Sequence, residues 1–369
     1  MTTALLFIAG LVGLVAGAEL LVRGASKLAL SFGLSPLVVG LTVVAFGTGA
    51  PEVAVSVGAA LSGQTDLAVG NVVGSNILNV LFILGVSALI TPLVVNRQLI
   101  RQEVPMMVGV SVLLMVLSLD RRISTFDALL LLALMIGYTT FLVRQSRAQT
   151  ALAKQTGSDD SDLPRMEPGA WDSKLPAQIG LILAGLVLLV AGSQGLLTAA
   201  ITIAKAFGVS DLVIGLTIVA AGTSLPEVAT SVMAAIRGQR DIAVGNVVGS
   251  NMFNILGCLG LAGLATGGSG LPVPPAALAF DLWVMLAVAL ACLPIFITGR
   301  EIARWEGGVF VAYYVAYVAW LVLQAQQHAA AQTFSAAMLG FVVPLTVVTL
   351  MVVLLKPSSN RKRPDASGR

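Results

Sequence analysis

Residues 40–85 and 215–260 are two versions of one segment. Laid over each other at a constant offset of 175 residues, they agree at 31 of 46 positions without a gap. Each version is an apolar run broken by Gly-Thr-x-x-Pro-Glu, followed by a second apolar run carrying Gly-Asn-Val-Val-Gly-Ser-Asn-x-x-Asn. The break places a glutamate, Glu52 or Glu227, in the middle of a hydrophobic span. An acidic residue at the centre of a membrane helix costs about 3 kcal/mol to insert, so it is retained where it does something. Here the cost is met twice, in matching surroundings, and the fold has to satisfy both copies.

Composition supplies the solvent. Hydrophobic residues make up 57% of the chain and charged residues 11%, against about 25% charged in soluble domains. The apolar runs have the length of bilayer-crossing helices, about 20 residues, not the roughly ten-residue alternation of outer-membrane strands. The chain therefore reads as an all-α integral membrane protein. Eleven spans are predicted, at about 4–22, 37–61, 66–90, 104–119, 126–143, 179–197, 212–236, 242–265, 277–297, 309–323 and 334–355. LVGLVAG at 11–17 matches LVLLVAG at 186–192 at the same offset, so the first span belongs to the repeat and is not a signal peptide. Residues 144–174 are polar and hold Gly, Pro and Ser, which marks a linker. Its Asp159, Asp160 and Asp162 read as a solvated acidic patch. The organisation is thus a five-span half at 1–143, the linker at 144–174, a second half at 175–325, and an added span with a basic tail at 326–369.

The basic residues set the orientation. With the N-terminus outside and eleven crossings, 18 of the 21 Lys and Arg fall inside, leaving Arg121, Arg122 and Lys205 outside. Five crossings per half invert one half relative to the other. The C-terminus is then inside. The repeats carry the same signal in their turns, Ser62 and Thr65 in the first against Arg237 and Arg240 in the second.

The motif has a physical reading. Proline removes a backbone donor and frees the carbonyl one turn earlier, near Gly47 for Pro51 and near Gly222 for Pro226. Bare carbonyls are tolerated in a membrane only beside water, protein or a cation. Carbonyls, hydroxyls and a carboxylate form a hard-oxygen set suited to Ca²⁺ or Na⁺. Two glutamates carry a charge that one Ca²⁺ or two monovalent ions neutralise. Ser75, Asn76 and Asn79, with Ser250, Asn251 and Asn254, add neutral oxygens, while Asp66 and Asp241 are expected to cap helices. Taken singly, Gly, Ser and Thr in membrane helices are packing residues and a break is a kink. A matched pair of broken helices, each with a buried Glu, is the pattern of a secondary transporter's site.

In these motifs the chain resembles the cation/calcium exchanger superfamily, and most closely its prokaryotic sodium/calcium exchangers. The resemblance implies that Glu52 and Glu227 hold Ca²⁺ with the backbone carbonyls of Thr48 and Thr223. It implies that Na⁺ uses the same glutamates with Ala45, Ser75, Ala220 and Ser250, that Asn79 and Asn254 complete the centre, and that the first and sixth helices slide across the core. The expected partners are Ca²⁺, Na⁺ and the lipid bilayer, with no cofactor and no nucleic acid. Two positions depart from the pattern. Gly49 stands where the second repeat has Ser224, so one sodium site is expected to be weaker and Gly49→Ser to be tolerated. Asn254 replaces an Asp of some relatives, which argues against potassium coupling.

Sodium/calcium antiport is the leading expectation, with Ca²⁺/H⁺ antiport the alternative. A passive channel conflicts with the inverted repeats. An enzyme conflicts with the lack of a nucleophile–base pair, since the single histidine, His328, reads as an interfacial residue. Cys258 and Cys292 read as small core residues. Glu19 is expected to pair with Arg23 one turn on, Asp281 to be a helix-end charge, and Trp283, Trp305 and Trp320 to anchor at the interface.

Overall fold

The computed structural model describes residues 2–156, 172, 174–208, 214, 218 and 220–355. Asp159, Asp160, Asp162, the beginning of the seventh predicted span and the basic tail lie outside them. The spans are α1 (Thr2–Phe32), α2 (Pro36–Thr48 and Ala50–Leu61, bent by 46° at the break), α3 (Thr65–Ile90), α4 (Leu99–Leu117), α5 (Thr125–Thr156) and α6 (Leu175–Ala206). They continue with α7 (Leu225–Ile236), α8 (Arg240–Ala265), α9 (Ala277–Ile297), α10 (Arg304–Ala325) and α11 (Ala330–Thr349). Among the described residues, nine helices have the length and hydropathy to cross a membrane, ten with the bent pair.

Several helices outrun the predicted spans. α1 continues through Arg23 and Lys27 to Phe32, and α5 continues to Thr156 into the predicted linker. Hydropathy marks where lipid ends, but Ala, Gln, Arg, Lys and Leu are good helix formers on either side of that boundary. Asp66 and Asp241 stand in the first turns of α3 and α8, with Gln64 and Gln239 at the N-cap positions and no side-chain cap bond at either. Their carboxylates still meet the positive helix end.

α3 and α8 are the most enclosed spans. α1 and α6 pack on each other in antiparallel fashion through glycines. A Cβ on Gly17 would lie 2.7 Å from Leu189 N and 2.8 Å from Gly185 O, and one on Gly192 would lie 2.7 Å from Leu14 N. These glycines belong to the matched segments of the first and sixth spans, and here the duplicated sequence is spent on close backbone approach.

Four short strands tie the connections together. β1 (Leu93–Val94) pairs antiparallel with β4 (Glu301–Ile302), and β2 (Arg122–Ile123) pairs with β3 (Leu271–Pro272). Each pair joins loops that the distribution of basic residues assigns to one side of the membrane. Ion pairs also join distant parts. Glu19 binds Arg237 at 2.8 Å, not Arg23, whose guanidinium instead holds Asp172 at 2.8 Å. The Arg23 hydrogen bond keeps the Asp172 carboxyl below its usual range, against the smaller opposing effect of desolvation. The i+4 reading failed because helices α7 and α1 bring a better partner within reach of Glu19.

Wide π-turns interrupt α2 (Gly40–Val44), α3 (Asn79–Leu84) and α8 (Asn254–Cys258) and open α4 (Leu99–Glu103) and α9 (Ala277–Asp281). Such turns recur at functional sites because they re-aim the residues that follow. Two of them end in carboxylates held by the next span. Glu103, buried, accepts from Gln98 and Gln102 Nε2 at 2.8 and 2.7 Å and from Tyr138 Oη at 2.7 Å. Asp281 accepts from Tyr317 Oη at 2.9 Å, so it is a bonded group inside the bundle. Trp320 donates to Ser335 Oγ at 3.0 Å and packs on Phe280, which seats α11 against the bundle. Trp283 and Trp305 are exposed, as interfacial anchors are. His328 is exposed and accepts from Ala330 N.

The glycine seam gives a direct prediction. Gly185→Leu should destabilise the fold by at least the ~1–3 kcal/mol typical of overpacking, because the obstacle is backbone. Gly180→Leu, with nothing within 4 Å, should leave stability unchanged. Thermal inactivation of both variants in detergent checks this.

Candidate cation site

The two breaks have one geometry. Gly49 adopts φ −78°, ψ 1° and Ser224 adopts φ −88°, ψ 7°, each immediately before a short helix with proline in its first turn. Glu52 and Glu227 follow in that first turn, where the positive helix end faces their carboxylates. Both are buried, at 0% and 1% exposure. The Ala45 carbonyl accepts the Gly49 N–H at 3.0 Å and keeps its second lone pair. Ala220 lies in the helical turn Ala220–Gly222.

An asparagine clamps each break to the opposite repeat. Asn71 donates through Nδ2 to the Glu52 carbonyl (3.3 Å) and Ser56 Oγ (3.0 Å), while its Oδ1 accepts from Thr223 Oγ1 (3.3 Å). Asn246 repeats this with the Glu227 carbonyl (3.5 Å), Ser231 Oγ (2.9 Å) and Thr48 Oγ1 (3.3 Å). Thr48 also has Val44 O within 3.1 Å. These four residues, Asn71, Ser56, Asn246 and Ser231, escaped the sequence reading. Their identity at the repeat offset is visible, but nothing in the sequence shows that they bond across to the opposite repeat.

Deeper in, the asparagines of the two repeats pair crosswise. Asn79 Nδ2 donates to Asn251 Oδ1 at 3.0 Å, and Asn254 Nδ2 donates to Asn76 Oδ1 at 3.1 Å. Asn76 and Asn251 also approach the sulfurs of Met285 and Met107, each at 3.5 Å and each four residues beyond the π-turn carboxylate of its helix. All four asparagines are buried.

What remains is a set of oxygens with no donor. Ser224 Oγ donates to Glu52 Oε1 at 2.9 Å and stands 3.1 Å from Ser75 Oγ. Glu52 Oε2, both carboxylate oxygens of Glu227, Asn79 Oδ1 and Ser250 Oγ are buried without a hydrogen-bond partner among the described residues. Buried acceptors left bare cost free energy, and a hard cation is the partner that satisfies several at once. Among the described residues no group of three or more His, Cys, Asp or Glu forms a metal cluster, so the set is two carboxylates among neutral oxygens. Cys258 and Cys292 are buried free thiols.

One sequence expectation is overturned here. Gly49→Ser is not freely accommodated, because a Cβ at Gly49 would lie 2.8 Å from Cδ1 of Phe253. That ring is stacked on Phe46, with centroids 4.8 Å apart. The obstruction comes from the second repeat and could not be read from the first.

The chain is similar to known proteins over most of its length. The profile of the sodium/calcium exchanger protein family matches residues 2–144 and 177–323. The chain belongs to this family. The exchanger is 36% identical over 341 residues to the sodium/calcium exchanger MaX1 of Methanosarcina acetivorans, covering 85% of this chain and 97% of that one. It is 38% identical over 323 residues to the inner membrane protein YrbG of Escherichia coli, covering 88% and 96%. Its fold superposes on the solved sodium-calcium exchanger NCX_Mj with a TM-score of 0.72 at 29% identity, covering 86% of this chain and 98% of that one. The exchanger is thus a multi-pass membrane protein of a transporter family.

The clamps are testable apart from the glutamates. Asn71→Leu and Asn246→Leu should each weaken calcium binding by about 10–100-fold, as loss of a group that orients a metal ligand does. Equilibrium ⁴⁵Ca²⁺ binding to monodisperse protein measures it, and unchanged affinity in both would reduce the clamps to packing.

Proposed function

We propose that the exchanger carries Ca²⁺ and Na⁺ in opposite directions across the cytoplasmic membrane, binding them in turn between Glu52 and Glu227. The observation that carries this is the pair of fully buried carboxylates with three oxygens bare among neutral donors. One Ca²⁺ or two Na⁺ balance the pair, so the two cargoes compete for one set of ligands. Thr48, Thr223, Ser75, Ser224, Ser250, Asn79 and Asn254, with the carbonyls of Ala45 and Ala220, would supply the remaining contacts. Asn at both 79 and 254 keeps the carboxylate count at two, which favours sodium over additional coupled cations.

Coupling follows from electrostatics. An empty site holds two uncompensated charges in a low-dielectric interior, and moving it past the apolar barrier is costly. A loaded site is neutral and can switch. Return therefore requires a cargo, which is the condition for exchange and not leak. The close glycine contacts between α1 and α6 would let that pair move as one body, and it meets the two breaks where Leu186 and Leu197 of α6 lie over Gly47 and Gly222. The proposed architecture is two inverted five-span halves, 1–143 and 175–325, plus α11, with the N-terminus outside and the C-terminus inside. It is supported by the 18-to-3 distribution of basic residues and by the strand pairs that join loops of one side.

The test is calcium uptake into sodium-loaded proteoliposomes diluted into sodium-free buffer at clamped pH. Uptake that vanishes without internal sodium is expected. Uptake that ignores sodium but follows a proton gradient would replace this reading with Ca²⁺/H⁺ antiport. Glu52→Gln and Glu227→Gln should each abolish uptake while the protein stays folded, and normal uptake by either would remove the site.

A further inference from the structure

The two halves of the site are alike in backbone but unequal in oxygen ligands. On one side Ser224 links Glu52 Oε1 to Ser75 Oγ. The same link on the other side would run from residue 49 to Glu227 and Ser250. Residue 49 is glycine, and Glu227 Oε1, Glu227 Oε2 and Ser250 Oγ are all left bare. Thr230, one turn beyond Glu227 where the first repeat has Val55, does not take over the link, since its Oγ1 makes no hydrogen bond among the described residues.

The backbone does not demand this glycine. Gly49 and Ser224 have nearly the same dihedral angles, both on the negative-φ side that any residue adopts. What differs is the neighbour. Phe253 presses on the Cβ position of Gly49, and its other edge lies 2.9 Å from where a Cβ of Gly257 would be. The counterparts are Leu78 for Phe253, Phe82 for Gly257 and Ala221 for Phe46. Four of the positions at which the repeats disagree therefore form one packed unit: Phe46, Gly49, Phe253 and Gly257.

Resting on the exchange reading above, we propose that Phe253 and Gly49 together remove one of the two serine-bridged cation half-sites. The exchanger then carries one complete monovalent half-site, beside Ser224, and one that lacks its hydroxyl, beside Glu227. The aromatic ring is the specificity-determining element, because it excludes the side chain that the backbone would accept. Sodium accordingly competes with calcium through fewer cooperating sites than the duplicated sequence would allow.

The test restores the missing half from the other repeat. Gly49→Ser combined with Phe253→Leu copies Ser224 and Leu78 into the equivalent positions. Sodium displacement of ⁴⁵Ca²⁺ from purified protein is measured for the wild type, G49S and the double variant. The double variant should need about tenfold less sodium for half-displacement, the scale of one added hydrogen-bonding ligand to a charge. Its Hill coefficient should rise, since the number of sites that bounds that coefficient increases by one. G49S alone should lose thermal stability and show no such gain. A double variant with wild-type sodium competition would overturn the proposal, and so would G49S alone gaining as much as the double. Calcium binding without sodium, in the same preparations, separates the two ideas. Loss of it in the wild type removes the exchange reading, whereas intact calcium binding with unchanged sodium competition removes only the unequal half-sites.

Discussion

Two carboxylates held out of water without their counter-charge are the constraint on which the rest depends. A low-dielectric interior multiplies the cost of each charge and of their mutual repulsion. The chain offsets it locally by breaking α2 and placing Glu52 at the start of a new helix segment, with Glu227 in the same position at the start of α7. Asn71 and Asn246 then tie the two breaks together, each bonding the glutamate carbonyl of its own repeat and the threonine of the opposite one. The bare oxygens are what these measures leave over. They are the acceptors that a bound cation would satisfy together.

The packing around that centre has two parts. α3 and α8 interlock through crosswise asparagine pairs, and π-turns in α4 and α9 bring Met107 and Met285 against them. Those turns are pinned in turn by the Glu103–Tyr138 and Asp281–Tyr317 bonds. The α1–α6 pair is joined within itself through backbone and glycine, and it meets the core where Leu186 and Leu197 lie over Gly47 and Gly222.

Much of this was legible in the sequence, for reasons that can be named. The repeat offset exposed the breaks, the glutamates and the serine and asparagine donors, because duplication marks positions that composition alone would hide. Glu103 was missed because a carboxylate beside Gln98, Arg101 and Gln102 lowers local hydropathy and pushes the apparent start of the span to Val104. The Glu19–Arg237 pair was missed because a helix-local partner is visible in sequence and a partner 218 residues away is not. Gly49 is the most instructive case. Its lost hydroxyl could be read directly, but the reason it stays lost lies in Phe253, which only the packing of α8 brings alongside.

The central claim is that one divalent cation sits between Glu52 and Glu227, bound by oxygens that are otherwise bare. Anomalous diffraction from crystals soaked in strontium, an oxygen-seeking stand-in for calcium, tests it most directly. The account predicts a single strong peak within coordinating distance of both carboxylates, absent from crystals of the Glu227→Gln variant. A peak elsewhere in the bundle, or one that survives that substitution undiminished, would contradict it.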